Sequence, residues 1–180
     1  PPPPPPPSTR PPPPPPPRST LFPYTTLFRS IISSGNIPID CIVTNKLSYA
    51  HAQHIKTTHS IFLPKDILID DIQLCTLIGN LFDNAIEACM KIKEPDKRYI
   101  DFQIKPFNCM MSIYMENSCI GDYVIDKNGK LKTSKQTNII NHGIGLKRIE
   151  EIVERANGFV TLNPSNDKFE VIIQLPTEEH

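Results

Sequence analysis

Two asparagines a helical turn apart and a short glycine-rich run carry most of the chemistry this sequence can offer. Residues 77–89, LIGNLFDNAIEAC, continue an apolar rhythm on both sides and predict the middle of an amphipathic helix. Asn80 and Asn84 stand near its centre. Asparagine weakens a helix by roughly half a kcal/mol relative to alanine, because its amide competes for backbone hydrogen bonds. At about 100° per residue, Leu74, Leu77, Ile78, Leu81, Ala85 and Cys89 form a broad apolar face. Asn80, Asn84, Glu87 and Lys91 fall in a narrow stripe elsewhere. The bland reading of that stripe is a solvated face. Lysine, glutamate or glutamine would serve solvation better, whereas an amide oxygen is a good neutral ligand for Mg²⁺.

Further along, His142, Gly143, Ile144, Gly145 and Leu146 open another helical pattern. Glycines at a helix entry let phosphates approach the backbone, where free amides and the helix dipole stabilise negative charge. Alone, such a pair of glycines is equally well a loop-to-helix turn. Glu116-Asn117-Ser118 ends a predicted strand directly before a long polar stretch, residues 118–141, which contains Gly121 and Gly129. Loops of that length inside a compact domain are usually functional or disordered.

The elements that must position these residues are legible from periodicity. A first helix is expected from Ile39 to about His54, then a short strand at HSIFLP (59–64). Asp70 and Asp71 sit where a helix wants a carboxylate cap, and that helix should run to about Lys93, before Pro95. Alternating strands follow at 99–107 and 111–117, with a turn near Asn108. A helix over 142–158 has Leu146, Ile149, Ile152 and Val153 inward and stops at Gly158. Strands FVTLN and FEVIIQLP flank the turn PSND. The order α-β-α-β-β-loop-α-β-β predicts an α+β two-layer sandwich, with helices on one face of a mixed, mostly antiparallel sheet.

Composition bounds the partners. Fifteen of the 21 prolines lie in residues 1–30, in two runs of seven plus Pro23, which suit extended or disordered chain and not a packed element. The spacers STR and RST and the following LFPYTTLFRS resemble translated adapter sequence, with a genuine Pro-rich linker as the alternative. Residues 1–30 are therefore expected to stand apart from a single domain over 31–180. The tail holds Arg10, Arg18 and Arg29 and no acid, so the remainder has 16 basic against 19 acidic groups. A net charge near −3 gives no electrostatic footprint for nucleic acid. No stretch reaches the apolar length of a membrane span. Five scattered cysteines without a C-x-x-C pair suit reduced thiols packed in the interior. His51, His54 and His59 lack a nearby set of metal ligands and read as helix-end polarity. Lys130 and Lys132 read as solvated loop, while Lys135 is a candidate to reach a phosphate.

Taken together and in this order, the motifs resemble the ATP-binding domain shared by sensor histidine kinases, gyrase, Hsp90 and MutL, the GHKL superfamily with its Bergerat fold. NLFDNAIEA is similar to the N-box and HGIGL to the second glycine box; FxVxIxLP, Phe169 to Pro176, is similar to the closing strand. The match is nearest to histidine kinases that resemble peptide-pheromone quorum sensors, on IDDIQLCTLIGNLFDNAIEAC, ENS and HGIGLKRI.

The resemblance implies Mg²⁺ held by Asn84, Asn80 assisting at the phosphates, and His142 to Leu146 around the phosphates, with Gly143 and Gly145 in contact. It implies an ATP lid over 118–141. Asn117 and Gly121 fall on a first glycine box usually written D-x-G-x-G. Here it reads Asn117-Ser118-Cys119-Ile120-Gly121, so an amide oxygen replaces the carboxylate that accepts from the adenine amino group. The implied function is the catalytic domain of a two-component sensor kinase, passing the γ-phosphoryl group of Mg-ATP to a histidine. That histidine is expected on a dimerisation domain outside this chain, with a response regulator as the final acceptor. The implied location is the cytoplasmic side of a membrane-anchored sensor. Two alternatives stand beside it: a non-catalytic nucleotide-binding or interaction module, and another superfamily member such as an anti-sigma-factor serine kinase.

Overall fold

The computed structural model describes residues 32–121, 123–125, 131–133 and 143–177, with backbone alone at 123–125, 131–133, 143 and 144. The expectations for residues 1–30, for His142, and for Lys130 and Lys135 lie outside them.

Helix α1 (Ile37–Ala52) begins where the Asn36 side chain accepts from the Ile39 amide and a proline occupies its first turn. It buries Ile39, Val43, Leu47 and Ala50. Strand β1 (Lys56–Ile61) leads to helix α2 (Asp71–Met90). Asp70 caps α2 by accepting from the Gln73 amide at 2.8 Å. Asp70→Ala should cost about 1 kcal/mol, read as a lower urea midpoint with unchanged m-value.

A short 3-10 turn, Pro95–Lys97, precedes the hairpin of β2 (Tyr99–Phe107) and β3 (Met110–Ser118). Asn108 turns the chain there with φ +52°, a conformation asparagine tolerates better than most residues. Two short paired strands, β4 (Tyr123–Ile125) and β5 (Leu131–Thr133), come next. Helix α3 (Gly143–Arg155) and the hairpin of β6 (Phe159–Pro164) and β7 (Lys168–Pro176) complete the described chain.

The main sheet has five strands in the order β1-β2-β3-β7-β6. The β1–β2 pair is parallel, with α2 as its crossover, and the other pairs are antiparallel. Alternation decides the faces. Ile100, Phe102 and Ile104 on β2, Met111, Ile113 and Met115 on β3, and Phe169, Val171, Ile173 and Leu175 on β7 are buried in the core cluster. The helices add Leu74, Leu77, Ile78, Leu81, Phe82, Ala85, Ile86 and Cys89 from α2, and Ile149, Ile152 and Val153 from α3. This is the expected α+β sandwich. Among the described residues no helix is long and apolar enough to cross a membrane.

The opposite face carries a polar row. Glu116 accepts from the hydroxyls of Tyr99 (2.9 Å) and Tyr114 (3.2 Å) and from Lys168 Nζ (2.8 Å). Burial pushes the Glu116 carboxyl up, but these donors, Lys168 foremost, hold it below its usual range.

Four expectations need correction. The first strand is Lys56–Ile61, not 59–64. An edge strand with one neighbour can keep Lys56, Thr58 and Ser60 in water, so its polar half was hidden and the apolar run Ile61-Phe62-Leu63 drew the boundary too late. The stretch 118–141 is not free of secondary structure, since β4 and β5 lie inside it. Cys41 and Cys109 are exposed rather than interior; Cys109 occupies the β2–β3 turn, which has no inside. Leu146 is only half-buried, one turn before the well-packed Ile149.

Candidate nucleotide-binding site

Asn80 and Asn84 lie on α2 beside an otherwise apolar surface, both half-buried. The Asn80 amide donates from Nδ2 to the Thr76 carbonyl at 2.7 Å. That bond spends one amide N–H on the helix and leaves Oδ1 as an acceptor. Phe82, between the two asparagines, anchors this turn of the helix in the core against Phe102, with ring centroids 4.8 Å apart at 57°.

The first turn of α3 meets α2 at Asn84. A methyl group built on Gly145 would lie 3.0 Å from Asn84 Oδ1, 3.4 Å from its Nδ2 and 3.6 Å from its Cγ. The glycine therefore leaves room that any other residue would take from the asparagine amide. Residues 61 positions apart in sequence are brought into direct contact, and the contact joins a neutral oxygen ligand to a helix start. The first backbone amides of a helix have no partner within it and carry the positive end of its dipole. Chemically, helix-start amides suit a phosphate and an amide oxygen suits a hard cation. Gly143 lies in this same first turn, as does the backbone of Ile144.

Asn117 sits near the end of β3, 3% exposed, and its Nδ2 donates to the Ser118 carbonyl at 2.9 Å. By alternation it shares the helix-facing side with Met115, whereas Glu116 of the same triplet faces away. With one N–H on the Ser118 carbonyl, its amide oxygen is left as an acceptor, which is what an exocyclic amino group requires. Ser118 closes the end of the strand: its Oγ accepts from the Tyr99 amide at 3.0 Å and lies 3.4 Å from Cys89 Sγ.

Gly121 belongs to a different contact. Its φ is +68°, and an added Cβ would stand 2.5 Å from the Asn166 carbonyl oxygen. Its glycine identity is accounted for by close approach to the β6–β7 turn, which also receives the Cys119 amide on the Asp167 carbonyl at 2.9 Å. The structure thus brings Asn84 and Gly145 together, keeps Asn80 on the same helix, and packs Gly121 against Asn166 rather than against the α2–α3 contact.

Glu87 pairs with Lys91 at 3.7 Å, one turn along the helix. Among the described residues no group of three or more histidine, cysteine or acidic side chains is placed to hold a metal, so the histidines of residues 51–59 form no such site. Sequence reading missed Thr76, which orients Asn80, and the Ser165–Asp167 turn, which seats Gly121. The i−4 spacing of Thr76 and Asn80 was readable; the turn contact was not.

Comparison with known proteins agrees with this fold. A family profile described as GHKL domain matches residues 69–176. No curated protein matches the sequence. Among solved structures, the Mycobacterial sensor histidine kinase MprB superposes with a TM-score of 0.58 at 13% identity, covering 79% of this chain and 97% of that one. The catalytic domain of histidine kinase ThkA gives 0.60 at 14% identity, with 79% and 93% covered. Full-length ShkA in complex with AMPPNP gives 0.56 at 13%, with 79% of this chain and 30% of that chain covered. The fold is that of histidine kinase catalytic domains, and the matched span includes both α2 and α3, so the chain belongs to the GHKL domain family.

Proposed function

We propose that this domain binds Mg-ATP and serves as the phosphoryl-donating half of a two-component sensor histidine kinase of the peptide-pheromone type. The observation that carries the reading is the cradle between Gly145 and Asn84, where the missing Cβ leaves the amide oxygen accessible at the start of α3. The donor set fits: a neutral hard oxygen suits Mg²⁺, and helix-terminal amides suit phosphate. The AMPPNP complex of ShkA, a protein of the same fold, supports it further.

In this reading Asn84 holds the metal, and Asn80 presents its free oxygen at the phosphate side. Backbone amides of Gly143 and Gly145 contact the phosphates, with His142, Ile144 and Leu146 flanking them. Asn117 accepts from the adenine amino group, and Gly121 shapes the same end of the cleft. When bound, Mg²⁺ would be held by Asn84 and would neutralise phosphate charge. The protein's own contribution is placement: α2 fixes the asparagines, the glycines admit the phosphates, and the core beneath holds both helices in register. No nucleophile or base is required of this chain. The acceptor histidine belongs to a dimerisation domain, and a response regulator receives the group afterwards. The domain works on the cytoplasmic side of a membrane-anchored receptor.

A non-catalytic binding module is the second reading, favoured by one observation. Asn117 is neutral where a carboxylate would give a charge-assisted bond to the base. Calorimetric titration of the full chain with ATP, with and without Mg²⁺, decides. Binding should depend on Mg²⁺, and Gly145→Ala should weaken it about tenfold, since its methyl must displace the Asn84 amide by a few tenths of an ångström. A folded chain that binds no ATP at millimolar concentration would sink the kinase reading and leave the interaction module.

A further inference from the structure

Two buried thiols lie close to the end of β3, and the nucleotide reading uses neither. Cys89, the last buried residue of α2, is fully buried; its Sγ lies 3.3 Å from the Tyr99 carbonyl oxygen and 3.5 Å from that of Ser118. Ser118 directly precedes Cys119. With ordinary peptide dimensions, that contact keeps the Cys89 sulfur within about 6–7 Å of the Cys119 Cα. Cys119 retains 8% of its surface, and its own Sγ rests 3.8 Å from the Ser165 carbonyl oxygen. A side-chain rotation away from Ser165 would free that sulfur for another partner. A disulfide brings the two Cβ atoms to about 3.5–4.5 Å, so closure asks for rotation of the Cys119 side chain and a shift of the strand end toward α2.

We propose that Cys89 and Cys119 form a reversible dithiol–disulfide pair that joins the end of α2 to the end of β3, two residues beyond Asn117. The oxidising equivalent comes from a low-molecular-weight disulfide. The Cys119 thiolate, the more accessible of the two, attacks one sulfur of RSSR; a mixed disulfide forms and one RS⁻ departs and takes up a proton. The Cys89 thiolate then attacks the Cys119 sulfur and expels the second thiol. Two protein thiols become one disulfide, and RSSR becomes two RSH.

Burial pushes the Cys89 thiol up, partly offset by the Ser118 hydroxyl and by the carbonyl contacts. The second step is therefore slow at neutral pH and accelerates as pH rises. Closure pulls Cys119 off the β6–β7 turn and shifts the strand end that presents Asn117. The consequence for the nucleotide rests on the function proposed above; the bond itself does not.

The full 180-residue chain carrying Cys41→Ser, Cys75→Ser and Cys109→Ser is incubated with oxidised glutathione, alkylated, and digested for mass spectrometry. ATP affinity is measured before and after. A peptide linking residues 89 and 119 is expected, formed faster at pH 8.5 than at pH 7, together with at least a tenfold loss of ATP affinity that dithiothreitol restores. Adding Cys89→Ser should stop the reaction at the glutathione adduct on Cys119. Absence of the linked peptide, with the glutathione adduct or free thiol persisting at Cys119 at pH 8.5, overturns the pair. A cross-linked chain that binds ATP as tightly as the reduced one overturns the effect on the nucleotide site and leaves the bond standing. Should the reduced chain bind no ATP, the kinase reading falls, and the linked peptide alone decides the thiol pair.

Discussion

Asn84→Ala is expected to abolish the Mg²⁺-dependent part of ATP binding, a loss on the order of 100-fold, while leaving the protein as stable as before or slightly more so. The opposite signs follow from one side chain. The amide is half-buried against Gly145 and contributes no core packing. Alanine is the better helix former by roughly half a kcal/mol. In the proposed reading the substitution removes a metal ligand, and even outer-shell changes at metal sites cost about 10–100-fold. Calorimetry with and without Mg²⁺, beside a urea melt, reads both effects. Combining Asn84→Ala with Gly145→Ala should add little further loss, because the glycine acts through the amide that is already gone. Unchanged Mg²⁺-dependent affinity in Asn84→Ala would remove the metal role from this residue.

Phe82→Ala is expected to cost about 3–5 kcal/mol, the largest single loss of stability in the domain. The ring is 0% exposed and packs on Phe102 of the central sheet, so its removal leaves a cavity between the layers. Against a typical total of about 5–15 kcal/mol, the variant should be close to unfolding at ambient temperature. Phe82→Leu keeps much of the volume and should lose less. Denaturant titration followed by far-ultraviolet circular dichroism measures both. A Phe82→Ala midpoint close to the parent would contradict the packing of α2 on the sheet. Because Phe82 lies between Asn80 and Asn84, its loss should reduce ATP binding only in proportion to unfolding, unlike Asn84→Ala.

How much of this was legible in the sequence depends on the range of the forces involved. Helix α2 was readable almost to its ends, because an Asp70 cap, a 3.6-residue apolar period and a nearby proline all act locally. The β2–β3 hairpin was readable for the same reason: alternation on both arms and Asn108 between them. Strand β1 was placed three residues late, since an edge strand needs few apolar residues and its partner is 43 residues away. The β4–β5 pair had a signal that was passed over, Asn128-Gly129 between YVID and KLKT, hidden within a stretch judged only by its polarity.

In the candidate site, the amide chemistry of Asn80 and Asn84 was argued from residue type. Their meeting with Gly145 came from resemblance rather than from spacing. Gly121 shows the limit most clearly. Its positive φ could be guessed, but the backbone that forbids a side chain there belongs to Asn166, 45 residues on.

The contact between Gly121 and Asn166 also has a meaning for how this chain can change. An exposed hairpin turn such as Ser165–Asp167 is ordinarily where a protein absorbs inserted residues without harm. Here the turn's backbone serves as a gauge block for the strand end that bears Asn117, with the Asp167 carbonyl and the Asn166 carbonyl indexing Cys119 and Gly121. Its sequence is free to drift while its length is not, and a residue gained in that turn would be felt across the sheet at the mouth of the cleft.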